Sequence, residues 1–342
     1  MKKLVYIGNN FAKKSNYHSA METLSNLLVS NGFMVIKSSS KKNKIVRLIA
    51  MCITIIKHRK SVDYILIDTF STINFYYALV TSQLARILKL NYIPILHGGN
   101  LPNRLDKSPI FSKLMFHNSY LNITPSKYLE FEFSKRNFKT YYIPNGININ
   151  DYSFKLRNNI QPKLLWVRAF DTTYNPLLAI KVLSKLKGKY PMATLCMVGP
   201  DKDGTLQKAK QLAKKMNIAD AITFTGVLKK ENWHVLSKNY DVFINTTNVD
   251  NMPVSIIEAM ALGFPIVSTN VGGLSYLIEN NINGILVALD NANVMTDAIV
   301  KLLQNPTKVE KSSLNARKKA STFDERLILE KWNEILKDEN DR

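Results

Sequence analysis

Short apolar runs, mostly four or five residues long and rich in β-branched or aromatic side chains, recur along the whole chain. In the first half they fall at 4–7, 33–36, 64–67, 92–96, 121–124 and 141–144. In the second half they fall at 164–167, 194–198, 222–225, 242–245, 265–268 and 285–287. Such runs are the pattern of strands buried on both faces of a parallel sheet. The stretches between them carry helical spacing, most clearly at 20–28 and 177–186. Strand and helix alternate in both halves, which predicts an α/β protein of two doubly wound parallel-sheet domains. A polar, Asn-rich stretch at 149–162 marks the seam, giving domains at 1–150 and 151–322. A last segment, 323–342, reads as a helix set back against the first domain, with Leu327, Trp332 and Ile335 as apolar contacts. Ligands of open α/β sheets bind beyond the carboxyl ends of the strands, so the strand-to-helix turns are where chemistry is expected.

Composition narrows the classes. The chain has 342 residues and is 46% hydrophobic, enough for two cores. Cys52 and Cys196 are its only cysteines, which argues against a disulfide framework and fits a reducing, cytoplasmic setting. The start, MKKLVYIGNNF, reads as a first strand, since its apolar stretch is short and no cleavage pattern follows. The longest mainly apolar run, 48–56, is far short of the roughly 20 residues of a spanning helix. A soluble protein is therefore expected.

The net charge of +21 is uneven. Residues 1–150 hold 21 Lys and Arg against 6 Asp and Glu, a net +15, and residues 151–342 hold 26 against 20, a net +6. A field of this sign attracts nucleic acid, anionic lipid headgroups or phosphorylated substrates. A lysine-rich, solvated surface would look the same. No zinc module or motif of interleaved aromatic and basic residues is present, so nucleic acid ranks last among these partners. No G-x-G-x-x-G follows a predicted strand, which disfavours a dehydrogenase.

The segment 250–263, DNMPVSIIEAMALG, places Glu258 inside an otherwise apolar run, eight residues after Asp250. A buried charge without a partner is costly, so something should meet Glu258. Pro253 suits the first helical position, where its missing N–H costs nothing. The amides of Val254 and Ser255 would then point out of the helix start as an anion site, with phosphate as the natural guest. Glu258 could accept hydrogen bonds from the vicinal hydroxyls of a ribose, and Asp250 from hydroxyls further along the same ligand. A structural ion pair for Glu258 and a turn cap for Asp250 are the alternatives. Glycines end neighbouring strands: Gly199 in MVGPD (197–201), Gly226 in FTG (224–226) and the pair in VGG (271–273). Each either lets a ligand approach the backbone or serves its turn. Arg168 follows the run 164–167 and could meet a phosphate with its fork of donors, or lie on the surface.

The string DNMPVSIIEAMALGFPIVSTNVGG resembles the signature of the retaining family 4 glycosyltransferases, the glycosyl transferases group 1, which have the GT-B fold. That motif is an acid, seven residues, then Glu, with Pro between, followed by a small-residue helix and a VGG turn. The resemblance continues in IENNINGILV at 278–287, IPNGIN at 143–148 and FTGVL at 224–228. It implies two Rossmann-like domains facing a cleft, with a sugar nucleotide on the second. It also implies that Glu258 holds the ribose, Asp250 contacts the donor sugar, and Arg168 and the amides of Val254 and Ser255 hold the diphosphate. Backbone near Gly226, Val227 and Leu228 would contact the base, with Gly199 and Pro253 shaping the same site. His97, in LHGGN, matches a first-domain position facing the reacting sugar. The activity implied is hexosyl transfer with retention and without a metal or other cofactor. The acceptor would sit on the basic first domain. Its charge would favour a polyprenyl-diphosphate-linked glycan, as in bacterial lipopolysaccharide or capsule assembly, and peripheral attachment to the anionic inner face of the plasma membrane.

The chain departs from that pattern in three places. Position 250 is Asp where Glu is usual, and Thr173 stands where a Lys usually follows the Arg, although the YNP that follows recurs in one subgroup of the family. The usual glycine pair after the first strand is replaced by NNFAKKSNYHS, in which Lys13 or Lys14 could supply a cation. Two further functions suit the same residues: a sugar-nucleotide 2-epimerase, and a degenerate transferase kept as a binding partner.

Overall fold

The computed structural model describes residues 1–10 and 20–336. The chain forms two compact α/β units. The first holds Met1–Gly146 and the last helix, Glu325–Leu336; the second holds Ile147–Asp324.

The first unit contains strands β1 (Lys3–Ile7), β2 (Met34–Ser38), β3 (Tyr64–Thr69), β4 (Tyr92–Leu96), β5 (Ile123–Thr124) and β6 (Tyr141–Tyr142). The second contains β7 (Lys163–Val167), β8 (Thr194–Val198), β9 (Ile222–Gly226), β10 (Val242–Asn245), β11 (Ile266–Thr269) and β12 (Ile285–Val287). All twelve lie on the apolar runs read from the sequence, and each unit forms one parallel six-stranded sheet. β5 and β6 are shorter than their runs.

The runs are continuous because alternate residues serve different cores. In β1, Leu4 and Tyr6 pack on one side of the sheet, while Val5 and Ile7 pack on the other. In β7, Leu164 and Trp166 divide from Leu165 and Val167 in the same way. Helices cover both faces, as a parallel sheet requires. Their starts follow side-chain chemistry: Asn175 accepts from the amide of Leu178, and Pro176 opens the helix Pro176–Lys187.

The last helix packs on the β1 side that holds Leu4 and Tyr6, through Ile328, Trp332, Ile335 and Leu336. Leu327 is not among these contacts; it is exposed, and Ile328 takes the inward place. One residue of helical phase, 100° of rotation, separates the two.

Strand order positions the ligand end of each sheet. The order in the first unit is β2-β1-β3-β4-β5-β6, and in the second β12-β11-β10-β7-β8-β9. The direction of winding reverses between β1 and β3 and between β7 and β10, and ligands collect beyond the strand ends at such reversals. Both reversals carry the residues discussed next.

Candidate functional site

In the second unit, β7 ends at Val167 and Arg168 follows; β10 ends at Asn245 and the loop 246–253 follows. That loop is tied to its neighbours. Thr246 Oγ1 donates to the carbonyl of Tyr174 at 2.8 Å and accepts from Trp166 Nε1 at 2.9 Å. The amide of Asn248 donates to Thr173 O at 2.7 Å, and the amide of Gly273 donates to Asp250 O at 3.1 Å. Thr173 is thus a backbone anchor for the loop.

The helix Val254–Ala261 begins one residue later than the sequence pattern placed it. Pro253 is extended (ψ 116°) and serves as the N-cap, its carbonyl accepting from the amides of Ile256 and Ile257. The first two helical amides, those of Val254 and Ser255, have no intrahelical acceptor. Beside them the Ser255 hydroxyl is buried and has no hydrogen-bond partner. Buried polar groups normally have one, so this one points to a missing ligand or water.

Glu258 lies in the second turn of this helix. Its Oε1 accepts from the Tyr152 hydroxyl at 2.8 Å. Among the described residues no donor is seen for its other oxygen, Oε2. Burial pushes its pKa up to about 7, against the hydrogen bond from Tyr152 and the charges of Lys230 and Arg168. The carboxyl is therefore met by a phenol and two nearby cations. The Tyr152 ring lies 4.6 Å from the His234 ring, and the Lys230 ammonium lies 4.6 Å from its centre. Burial drops His234 to about 4, so it packs there as a neutral ring.

Arg168 and Asp250, expected on different parts of a ligand, are bound to each other through Arg168 Nη2 and Asp250 Oδ2. The amide of Asn251 donates to Asp250 Oδ1 at 2.9 Å. Burial raises the Asp250 pKa although Arg168 opposes it. The Arg168 guanidinium lies 4.7 Å from the Tyr174 ring centre, and its Nε is buried with no partner. One donor of the fork is therefore available to an anion.

The turn glycines have a packing reason. A Cβ at Gly199 would strike the carbonyl of Arg168, and one at Gly273 would strike the carbonyl of Asn251. These glycines bring backbones together where the sequence reading left open a ligand's approach. Gly226 is left-handed (φ +70°), accepts the amide of Gly199 at 2.9 Å, and leads into a half-exposed Val227 and a partly buried Leu228.

In the first unit, His97 follows β4, and its Nε2 lies 2.8 Å from Asp68 Oδ1. The Tyr6 hydroxyl donates to the same oxygen at 2.8 Å. Phe70 stacks on the imidazole at 5.2 Å. A Cβ at Gly8 would lie 2.5 Å from Asp68 Oδ2, so the glycine after β1 makes room for this carboxylate. A small cavity at the reversal of the sheet is lined by Gly8, Asn9, Asp68, Phe70 and Asn74 among others. Lys13 and Lys14 lie outside the described residues.

Sequence reasoning missed Tyr6, Asp68, Tyr152 and Lys230. Asp68 carries a signal related to that of Glu258, an acid adjoining an apolar run, here at its end in YILIDT. Tyr152 and Lys230 carry none. Among the described residues no three His, Cys, Asp or Glu side chains gather as a metal site.

Two doubly wound parallel sheets with polar clusters at their reversals define a class, and solved structures of GT-B glycosyltransferases share it. Sucrose-phosphate synthase from Thermosynechococcus elongatus matches with a TM-score of 0.81 at 17% identity, over 98% of each chain. Anabaena HepE in complex with UDP and glucose matches with a TM-score of 0.78 at 18% identity, over 98% of this chain and 100% of that one. These likenesses concern the fold. The sequence profile of the family described as Glycosyl transferases group 1 matches residues 148–319, about half of the chain, and the chain belongs to that family. It is 24% identical over 200 residues to the amylovoran biosynthesis glycosyltransferase AmsK of Erwinia amylovora, covering 53% of this chain and 49% of that protein. The chain spans about half the length of the curated relatives it matches.

Proposed function

We propose that the protein transfers a hexosyl group from a nucleotide diphosphate sugar to a lipid-diphosphate-linked glycan during assembly of a bacterial surface polysaccharide. In this reading it is a family 4 enzyme that retains the anomeric configuration and requires no metal. The observation that carries it is the cluster at the start of the helix Val254–Ala261. The amides of Val254 and Ser255, which lack an intrahelical acceptor, the buried Ser255 hydroxyl and the buried Arg168 Nε follow the adjacent strands β7 and β10, whose loops are joined by the Arg168–Asp250 pair. A diphosphate satisfies all of these donors at once. Glu258 Oε2 then takes the ribose hydroxyls, while Tyr152 holds Oε1 in place. Asp250 takes a hydroxyl of the donor sugar, and Gly199, Pro253 and the backbone of Gly226, Val227 and Leu228 line the nucleotide. When the bond from the anomeric carbon to the diphosphate breaks, Arg168 and the helix start stabilise the departing charge. Lys230, whose charge already acts on Glu258, supplies the second cation that Thr173 does not. In the first unit, which binds the acceptor, Asp68 fixes His97 in a single orientation. Membrane-linked acceptors place the protein at the inner face of the plasma membrane. AmsK, named for amylovoran biosynthesis, supports the polysaccharide setting.

A thermal-shift panel of UDP-, GDP- and dTDP-sugars tests the donor site. A ligand at 100 times its dissociation constant adds about 2.7 kcal/mol of stability, and one member of the panel should do so. Slow donor hydrolysis that vanishes in Glu258→Ala is the expected chemistry. A donor epimerised without any acceptor would instead assign the chain to the epimerases, and binding without hydrolysis would mark a degenerate partner subunit.

A further inference from the structure

The helix Lys44–His58, KIVRLIAMCITIIKH, is apolar nearly all round. Its inner face buries Met51 and Ile55 against the sheet and seats Arg47 on Asn9 and the carbonyls of Lys41 and Lys42. Its outer face should be polar in a water-facing helix. Instead it exposes Ile45, Val46, Ile49, Ile53 and Ile56, with Ile45 71% and Ile53 58% accessible. These five fall within one 100° arc, spaced at i, i+4, i+8 and i+11 from Ile45, with Val46 at the arc's edge.

The apolar surface continues onto two neighbouring helices. Asn74–Ile87 packs beside the first, with the Tyr77 hydroxyl donating to the carbonyl of Lys44 at 3.2 Å. It exposes Tyr76, Val80 and Ile87. Pro109–Phe116 follows, with Gln83 Nε2 donating to the carbonyl of Leu114 at 3.2 Å. It exposes Ile110, Phe111 and Leu114. Contiguous apolar patches on this scale are rare on water-facing proteins and mark a surface that docks.

Charge selects the occupant. None of the three helices contains an Asp or Glu. Between Glu22 and Asp63 the chain has no acidic residue and eight Lys or Arg. Lys41, Lys42 and Lys44 stand exposed at the start of the first helix, and Lys57, Arg59 and Lys60 at its end. An apolar face with basic residues at both ends complements a bilayer whose headgroups are anionic and whose acyl region accepts isoleucine. No helix of the described residues is long and apolar enough to cross a membrane, which agrees with one lying on it.

We propose that the outer face of the helix Lys44–His58, continued by Tyr76, Val80, Ile110 and Phe111, inserts into the interface of an anionic lipid bilayer, with Lys41, Lys42, Lys44, Lys57, Arg59 and Lys60 on the headgroups. This deepens the membrane attachment in the proposed function and does not rest on its chemistry. Flotation of the full chain with vesicles of pure phosphatidylcholine, and of phosphatidylcholine with phosphatidylglycerol, tests it. The wild type should float with the anionic vesicles and hardly at all with the neutral ones. Ile49→Glu with Ile53→Glu should lower the floated fraction by roughly tenfold or more, because apolar insertion is lost while the basic residues stay. Ile45→Ser with Ile56→Ser is a milder second pair that leaves the centre of the helix unchanged. An unaltered melting curve and unaltered donor hydrolysis should accompany both, which separates failure of the membrane face from failure of the catalytic reading. Three results would overturn the proposal: no flotation of the wild type, with a lipid-free dimer that both pairs dissolve then assigning the face to a second copy; equal flotation with neutral and anionic vesicles; or flotation untouched by either pair.

Discussion

Replacing Glu258 with Gln keeps the shape of the side chain and removes its charge. The carboxyl sits in a helix otherwise built of Val, Ser, Ile, Ala and Met, and burial lifts its pKa from the ordinary 4.5 to about 7. Its folded pKa thus exceeds its unfolded one, so the ionised carboxylate costs stability. The cost is absent below about pH 4.5, grows as pH rises, and is complete above about 7. At 1.36 kcal/mol per pKa unit the rise sets a ceiling of about 3 kcal/mol, which partial exposure and the amide's own hydrogen-bonding needs reduce to about 1–2 kcal/mol. Glu258→Gln should therefore melt higher than the wild type at pH 8 and nearly equal to it at pH 4.5. Ligand binding should move the other way. A ribose hydroxyl donating to a carboxylate contributes about 1.5–3 kcal/mol, so the variant should bind the nucleoside diphosphate about 10- to 100-fold more weakly at pH 8. The wild type should lose affinity as pH falls below 7, while the variant stays flat. Isothermal titration from pH 5.5 to 8.5, paired with thermal melts, reads both effects. A variant that binds as tightly as the wild type at pH 8, or whose stability gain is the same at every pH, would refute the reasoning.

Other substitutions test the remaining parts. Arg168→Met leaves the buried Asp250 carboxylate unpaired and should cost about 3 kcal/mol at neutral pH. Adding Asp250→Asn should restore most of that stability in denaturant melts without restoring diphosphate affinity. Gly273→Ala drives a Cβ into the carbonyl of Asn251 and should cost about 2 kcal/mol or more, together with the thermal shift given by the donor. Asp68→Asn should reduce turnover about tenfold with little change in donor KM, because it disturbs the tautomer and aim of His97 and not the nucleotide site.

Most strands were legible because parallel strands buried on both faces are written as nearly unbroken apolar runs; the edge strands β2 and β9 are only partly buried and carry polar residues, yet they too fall on runs read from the sequence. Glu258 was legible as a charge in an apolar helix. Its partner was not: Tyr152 lies 106 residues away in a polar linker that has no period to read. Arg168 and Asp250 could each be singled out, but their pairing across 82 residues comes from β7 and β10 lying side by side. The packing role of Gly199 and Gly273 is likewise a contact between loops, invisible to local spacing. In the last helix a single residue of phase exchanged Leu327 for Ile328. In the run 48–56, apolar spacing on both faces hid the fact that one face is left uncovered by the rest of the first unit.

A crystal structure of the full chain with the nucleotide sugar that gives the largest thermal shift tests most directly where the diphosphate and the ribose rest. The expected result is diphosphate oxygens within hydrogen-bond distance of the Val254 and Ser255 amides and of Arg168 Nε, with both ribose hydroxyls on Glu258. Nucleotide bound elsewhere, with Ser255 and Arg168 Nε still unpartnered and Glu258 holding only Tyr152, would contradict it.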